Sequence, residues 1–257
     1  MNDIYRFKTL RTFTRDENKD VKNDCITVAV SLFNYRDVIV ECLDSVAAQT
    51  YKNLDLIVVD DCSTDRDCIN QVSGWLRKNE RRFSKCLFVQ HELNSGLAAA
   101  RNTAFRISTC QSIFVMDADN RIFPTAISKL NALLRASGVA AAYSQLVFFG
   151  DEKKIGIADV WSRERFASGN YVDAMSLIRR DAWEKVGGYT HIQGGWEDFD
   201  FWCKLIDADL EAIFLPEIVC CYRVHKNSML RTETKENFDR VLNVLNLRHP
   251  WLELRSE

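Results

Sequence analysis

The sequence predicts an α/β protein built on a Rossmann-like, doubly wound and mostly parallel central sheet flanked by helices, with a smaller mixed sheet toward its C-terminal side. Two observations carry this. Short apolar, β-rich runs alternate with helically spaced segments over about 110 residues, the pattern of a parallel sheet with helical crossovers. Three of those runs end in clustered polar residues, where such sheets place their ligands. The 257 residues, 47% hydrophobic and 27% charged, suffice for a full core, and only 10 Gly and 3 Pro argue against long linkers.

Ile26 to Phe33 (ITVAVSLF) reads as a buried strand. Val38 to Ala48 then places Val38, Cys42, Val46 and Ala47 near helical spacing. Leu54 to Val59 (LDLIVV) is a second strand, ending on Asp60 and Asp61. A helix is expected across Cys68 to Leu76, a third strand at Cys86 to Val89, and an Ala-rich helix through Ala98 to Ile107 that Ser95 can cap. Ser112 to Met116 is a fourth strand, ending on Asp117. Pro124 sits where a first-turn proline belongs, before a helix carrying Ile127, Leu130, Leu133 and Leu134. The second half is less regular. It holds apolar pieces at Met175 to Ile178, Ala212 to Leu215 and Ile218 to Tyr222, a helix running through Leu205, and a closing helix from Asn237 to Leu247.

The net charge of -2 gives no global pull toward nucleic acid or an anionic membrane. No apolar run reaches the ~20 residues of a membrane helix. The nine Cys are irregularly spaced, without paired CxxC units, and are expected as reduced, mostly buried thiols of an intracellular protein. The first ~24 residues mix both charge signs and read as a solvated arm.

Asp117 and Asp119 end a buried strand with one residue between them. Such carboxylates repel unless a cation or donor joins them, and hard divalent ions take these oxygens together with diphosphate oxygens. An Asx turn before a helix is the other reading, and local sequence leaves both open. A calcium loop would need Gly and Glu where Ile122 and Ser128 stand, and a phosphatase-type setting would want Thr or Val in place of Arg121. Asp60 and Asp61, followed by Ser63 to Asp65, offer acceptors for a base or ribose, or a helix cap. Asn94-Ser95-Gly96 opens a helix whose N–H groups suit an anion, and Arg101 could reach a phosphate or base. Gly194-Gly195 leave room for a ligand, Trp196 offers a flat face for a sugar ring, and Glu197-Asp198 supplies a carboxylate able to take a hydroxyl proton. Acidic residues also suit a helix start electrostatically. Spacing alone does not link His225 to the carboxylates.

Together these segments resemble the family-2 inverting glycosyltransferases with the GT-A fold. The likeness is carried by Val30 to Tyr35 (VSLFNY), Cys42 to Val46, Gln49-Thr50-Tyr51, Ile57 to Asp65 (IVVDDCSTD), Asn94 to Asn102 (NSGLAAARN), Asp117-Ala118-Asp119, Gly194 to Asp198 (GGWED) and Tyr222 to His225. They run in family order over residues 25–228. The resemblance implies that Ser31, Asn34, Asp61, Asn94, Arg101 and Asp117 line the nucleotide pocket, with Asp61 facing the base. Asp119 matches the direct ligand of Mn²⁺ or Mg²⁺, Asp117 a residue near the ribose or metal, and His225 a late metal ligand. Asp198 matches the general base, with Gly195, Trp196 and Glu197 on the acceptor side.

The implied partners are a nucleotide sugar, by default a UDP-sugar, and a glycan or lipid-linked acceptor. The implied layout is an arm at 1–24, a catalytic domain at 25–228 and a helical segment at 229–257. Within the domain, the nucleotide half spans about 25–120 and the acceptor half about 121–228. A cytoplasmic setting is expected, with peripheral contact at the inner face of a membrane left open by the basic residues of the arm. Cys62 departs from the Gly common at its position, and a QxxRW-type element is absent, which points away from processive synthases. Two rivals stand beside this reading. A sugar-nucleotide nucleotidyltransferase would want a Gly-rich basic loop where Phe33 to Asp37 stands. The other is a non-catalytic carbohydrate-binding module on the same fold.

Overall fold

The structure, a computed structural model, describes residues 5–15, 24–226 and 236–255. Nine strands form one sheet: β1 (Phe7–Thr14), β2 (Ile26–Leu32), β3 (Leu54–Asp60), β4 (Lys85–His91), β5 (Ser112–Asp117), β6 (Arg121–Ile122), β7 (Ala141–Gly150), β8 (Ser176–Arg179) and β9 (Ala212–Val224). Their order is β1-β4-β3-β2-β5-β8-β7-β9-β6. β4, β3, β2 and β5 pair in parallel. Beyond β5 the pairing is mixed, antiparallel at β5–β8, β8–β7 and β9–β6 but parallel at β7–β9. The expected mixed sheet is a continuation of the parallel one, so both halves share one sheet. The helices are α1 (Ile39–Ala47), α2 (Arg66–Asn79), α3 (Leu97–Ile107), α4 (Ala126–Ser137), α5 (Arg163–Phe166), α6 (Arg180–Lys185), α7 (Glu197–Asp207) and α8 (Phe238–Arg248).

Alternate strand residues enter opposite cores. Ala29, Ile57, Val59, Ile113 and Val115 pack with residues of α3, α7 and α8 on one face. Val28, Val30, Leu56, Val58, Phe114 and Met116 pack with α1, α2 and α4 on the other. Cover on both faces is why these strands read as continuous apolar runs. α1 buries Ile39, Cys42, Leu43 and Val46, one stripe at helical spacing. α3 is buried from Ala98 to Phe105, and its small side chains let it lie between the sheet and the second-half helices. Seven of the cysteines are buried, two are half-buried, and none forms a disulfide.

The structure corrects three expectations. Residues Phe7–Thr14 are not a solvated arm but a strand antiparallel to β4. A register shift between Thr9 and Arg11 turns that strand over, so Phe7 packs toward one core and Leu10 and Phe13 toward the other. This break in alternation hides the strand in the sequence. Residues 1–4 and 16–23 of the expected arm, and 227–235 near the C-terminal segment, lie outside the described residues. Ser95 does not cap α3, whose cap position is Gly96 at φ 88°. Pro124 precedes the Thr125 cap of α4, and its carbonyl accepts from the Thr50 N–H at 2.8 Å.

Charge ties the C-terminal helix to α7. Asp200 is fully buried; Arg248 Nε donates to it at 2.5 Å, His249 Nε2 lies 3.0 Å away and Lys204 Nζ 3.3 Å away. Burial alone would raise this carboxyl, but His249, Arg248 and Lys204 outweigh it and hold it well below the usual range. Asp200→Asn should cost about 3 kcal/mol, the low end for a broken buried pair because Arg248 keeps some solvent contact. A depressed folded pKa contributes stability that is full above the unfolded carboxylate value, about 4, and is lost as pH falls toward the folded one. Thermal melts in acid should therefore show wild-type Tm falling more steeply below that pH than the Tm of Asp200→Asn. Parallel curves would remove Asp200 as the source.

Candidate active site

Strand pairing builds the first half of the site. Register sets Ser31 beside Asp117 and Leu32 beside Asp60, and the Ala118 N–H donates to the Ser31 carbonyl at 3.1 Å. The carboxyl ends of β2, β3 and β5 thus share one edge, as doubly wound sheets require for a ligand crevice.

Asp119 lies just past β5 and is 8% exposed. His225 Nε2 lies 3.1 Å from its Oδ2, and Tyr35 meets the His225 ring edge-on at 5.9 Å. Burial, and then the charge of Asp117, raises the Asp119 carboxyl to about 6, against the opposing pull of His225. Arg223 pins this turn from β9. Its N–H donates to Asn120 Oδ1 and its Nε to the Asp119 carbonyl, both at 2.8 Å, and it also pairs with Glu41. Asp117 is engaged elsewhere: Arg101 Nη2 donates to both its oxygens, at 3.0 and 3.1 Å. The structure therefore joins Asp119 to His225 and Asp117 to Arg101. One carboxylate and one imidazole, completed by phosphate oxygens and water, are a donor set that suits Mn²⁺ or Mg²⁺. A three-residue group of ligating atoms, Cys25, Asp55 and Cys110 within 4.8 Å of one another, lies at the N-terminal ends of β2, β3 and β5, the opposite ends of these strands.

Asp61 organises the turn into α3. Its carboxylate accepts from the Ser95 and Gly96 N–H groups at 2.9 and 2.7 Å and meets His91 Nδ1 at 2.7 Å. Asn94 Nδ2 donates to the Asp61 carbonyl at 3.1 Å. Asn34 Oδ1 accepts from the Thr64 and Asp65 N–H groups at 2.9 and 3.2 Å. These three side chains, expected to face a nucleotide, shape the loops at this edge of the sheet. Cys62 adopts φ 63°, the left-handed region that favours glycine, so the departure from Gly carries backbone strain. Cys62→Gly should raise stability by about 1 kcal/mol in denaturant unfolding; a loss would mean the thiol packs to more effect than the strain costs.

The second half of the site begins at α7. Gly194 and Gly195 adopt φ 104° and 103°, and Trp196 follows at φ 65°. A Cβ on Gly194 would lie 2.8 Å from Asn237 Cβ, so this glycine lets α8 approach instead of leaving room for a ligand. Trp196 is half-buried and edge-on to Phe199 and Phe238, so part of its ring serves packing. Asp198 is half-buried, with Asn170 Nδ2 donating to its Oδ2 at 3.2 Å. Burial raises the Asp198 carboxyl, and raises Glu197 to about 7. Asp173, just before β8, is a further carboxyl here. Burial, with the charges of Asp198 and Asp117 beside it, lifts it to about 7. No motif marked Asp173 in the sequence, because its segment is irregular. Arg101, 3% exposed, faces this acidic group; burial opposes its charge, but Asp117, Asp198 and Glu197 keep it protonated.

Residues 27–187 match the family described as Glycosyl transferase family 2. Among similar proteins, the UDP-Glc:alpha-D-GlcNAc-diphosphoundecaprenol beta-1,3-glucosyltransferase WfaP of Escherichia coli is 24% identical over 220 residues, spanning 83% of this chain and 82% of WfaP. The crystal structure of S. aureus TarS 1-349 in complex with UDP-GlcNAc superposes with a TM-score of 0.70 at 17% identity, covering 87% of this chain and 66% of that one. The mannosyltransferase PcManGT from Pyrobaculum calidifontis, in complex with GDP-Man and Mn²⁺, superposes with a TM-score of 0.61 at 24% identity, covering 79% of this chain and 58% of that one. The fold is the expected GT-A fold. Because the family match covers more than half of the chain, this glycosyltransferase belongs to glycosyl transferase family 2.

Proposed function

We propose that the protein is an inverting, metal-dependent transferase that moves a sugar from a nucleotide-sugar donor to a hydroxyl of a glycan or lipid-linked acceptor. The observation that carries this is the convergence of Asp119 with His225 on one side and of Asp198 near the Arg101–Asp117 pair on the other. A UDP-sugar is the favoured donor. The UDP-GlcNAc bound to TarS and the UDP-Glc in the name of WfaP support it, and the diphosphoundecaprenol acceptor of WfaP supports a lipid-linked acceptor. Peripheral contact with the cytoplasmic face of a membrane belongs to the same proposal. No helix among the described residues is long and apolar enough to cross a membrane.

Asp119 and His225 would hold the divalent ion, which supplies counter-charge to the diphosphate of the leaving nucleotide. Asp198 takes the proton from the acceptor hydroxyl, and Asn170 orients its carboxylate. The acceptor oxygen attacks the anomeric carbon opposite the leaving group, so the configuration inverts. One carboxylate base serves, where a glycoside hydrolase needs two.

Asp198→Asn should lower transfer by about 10²–10⁴-fold while leaving donor affinity nearly unchanged in calorimetry. Near wild-type turnover would remove Asp198 as the base. A base works deprotonated, so kcat should rise with pH through the raised carboxyl value and be lost on its acid side. Nucleotide release from UDP-, GDP- and dTDP-sugars should stop with EDTA and return with Mn²⁺, and Asp119→Ala should raise the Mn²⁺ requirement at least ~10-fold. Release that ignores chelation would sink the metal role. No binding or turnover of any donor would favour a non-catalytic carbohydrate-binding module.

A further inference from the structure

Two buried polar atoms in this site have no hydrogen-bond partner among the described residues: Arg101 Nε and the Tyr189 hydroxyl. Arg101 is 3% and Tyr189 4% exposed, and the guanidinium carbon lies 5.3 Å from the centre of the tyrosine ring. An unpaired buried group costs about 1–3 kcal/mol, and a fold carrying two on neighbouring side chains calls for a ligand that completes them. Their positions are fixed. The Tyr189 N–H donates to Asn102 Oδ1 and the Tyr189 carbonyl accepts from Asn102 Nδ2, each at 2.8 Å. The Tyr189 ring stacks on Phe201 of α7 with centroids 4.4 Å apart. Gly188 sits at φ 74°, where a Cβ would lie 2.6 Å from Asn102 Oδ1, so the backbone is clamped against α3. Arg101 is anchored by its other end on Asp117. The phenol lies within the fields of both Asp198 and Asp117.

We propose that Arg101 Nε–H and the Tyr189 hydroxyl form a subsite for one hydroxyl group of the transferred sugar. This rests on the donor role argued above and goes beyond it by naming what reads the sugar. The surrounding charge selects a neutral ligand. Asp117, Glu197, Asp198 and Asp173 crowd a single guanidinium, which disfavours an anionic oxygen. Nε–H only donates, whereas a phenol both donates and accepts. A sugar hydroxyl completes both, accepting from Arg101 and exchanging a hydrogen bond with Tyr189.

The test compares the full wild-type chain with Tyr189→Phe, which keeps the ring and deletes the hydroxyl. The probes are the nucleotide sugar turned over fastest in the donor screen and its 2-, 3-, 4- and 6-monodeoxy analogues. Tyr189→Phe should retain or gain thermal stability and lose about 10- to 100-fold in kcat/KM with the parent donor. With one monodeoxy analogue, wild type should show the same loss and the variant no further loss. The parent-to-deoxy ratio is internal to each protein, so it is unaffected by the folded fraction. If the variant discriminates the parent from every analogue as wild type does, the subsite is overturned and the donor reading stands. If wild type neither binds nor turns over any donor, both fall.

Discussion

Arg101 sits on α3 with its terminal nitrogen on both oxygens of Asp117 and its charge felt by Asp198 and Glu197. A guanidinium this deeply buried is tolerable only among carboxylates, and carboxylates crowded this closely are tolerable only around a cation. The rest of the site follows from that mutual requirement. α3 must lie close to the end of β5, and the alanines at Ala98, Ala99 and Ala100 let it do so. α7 must bring its first turn to the same cation, and the Gly194 backbone lets α8 press in behind it.

The same constraint divides labour among acidic groups that look alike in sequence. Asp117 and Asp119 are separated by one residue, yet one pairs with an arginine and the other meets a histidine ring nitrogen. Asp61 receives backbone N–H groups and acts on loop shape. Asp200, two residues after Asp198, is locked into the ion cluster that holds α8. Environment, not residue type, assigns each its role.

The parallel core was legible in the chain because strands covered on both faces must be apolar throughout. β2, β3 and β5 begin at the residues expected and end within one of them. β1 was not legible, because its register shift spoils the alternation that marks an edge strand. The meeting of Asp119 with His225 spans 106 residues, so only the β7–β9–β6 pairing and the Arg223 clamp create it. Resemblance supplied that pair where spacing could not. Asp173 and Tyr189 were invisible for a different reason: each lies in irregular chain, and its significance comes from what surrounds it in space. Asn34 and Asp61 were marked in the sequence as ligand contacts; the loop hydrogen bonds they make depend on side-chain direction, which a motif does not encode.

β1 also bears on where this protein can be cut. Residue 24 is a natural boundary by sequence, yet β1 covers the outer edge of β4 with a ladder from Phe7–His91 to Thr14–Lys85. Removing it would bare a run of backbone donors and acceptors on a strand whose Cys86, Phe88, Val89 and His91 are buried. Such an edge templates pairing with other chains. The N-terminal segment thus shields this edge as well as extending the sheet, and because Phe7 sits opposite His91, whose ring meets Asp61, a shortened protein would lose support beneath the Asp61 turn together with solubility.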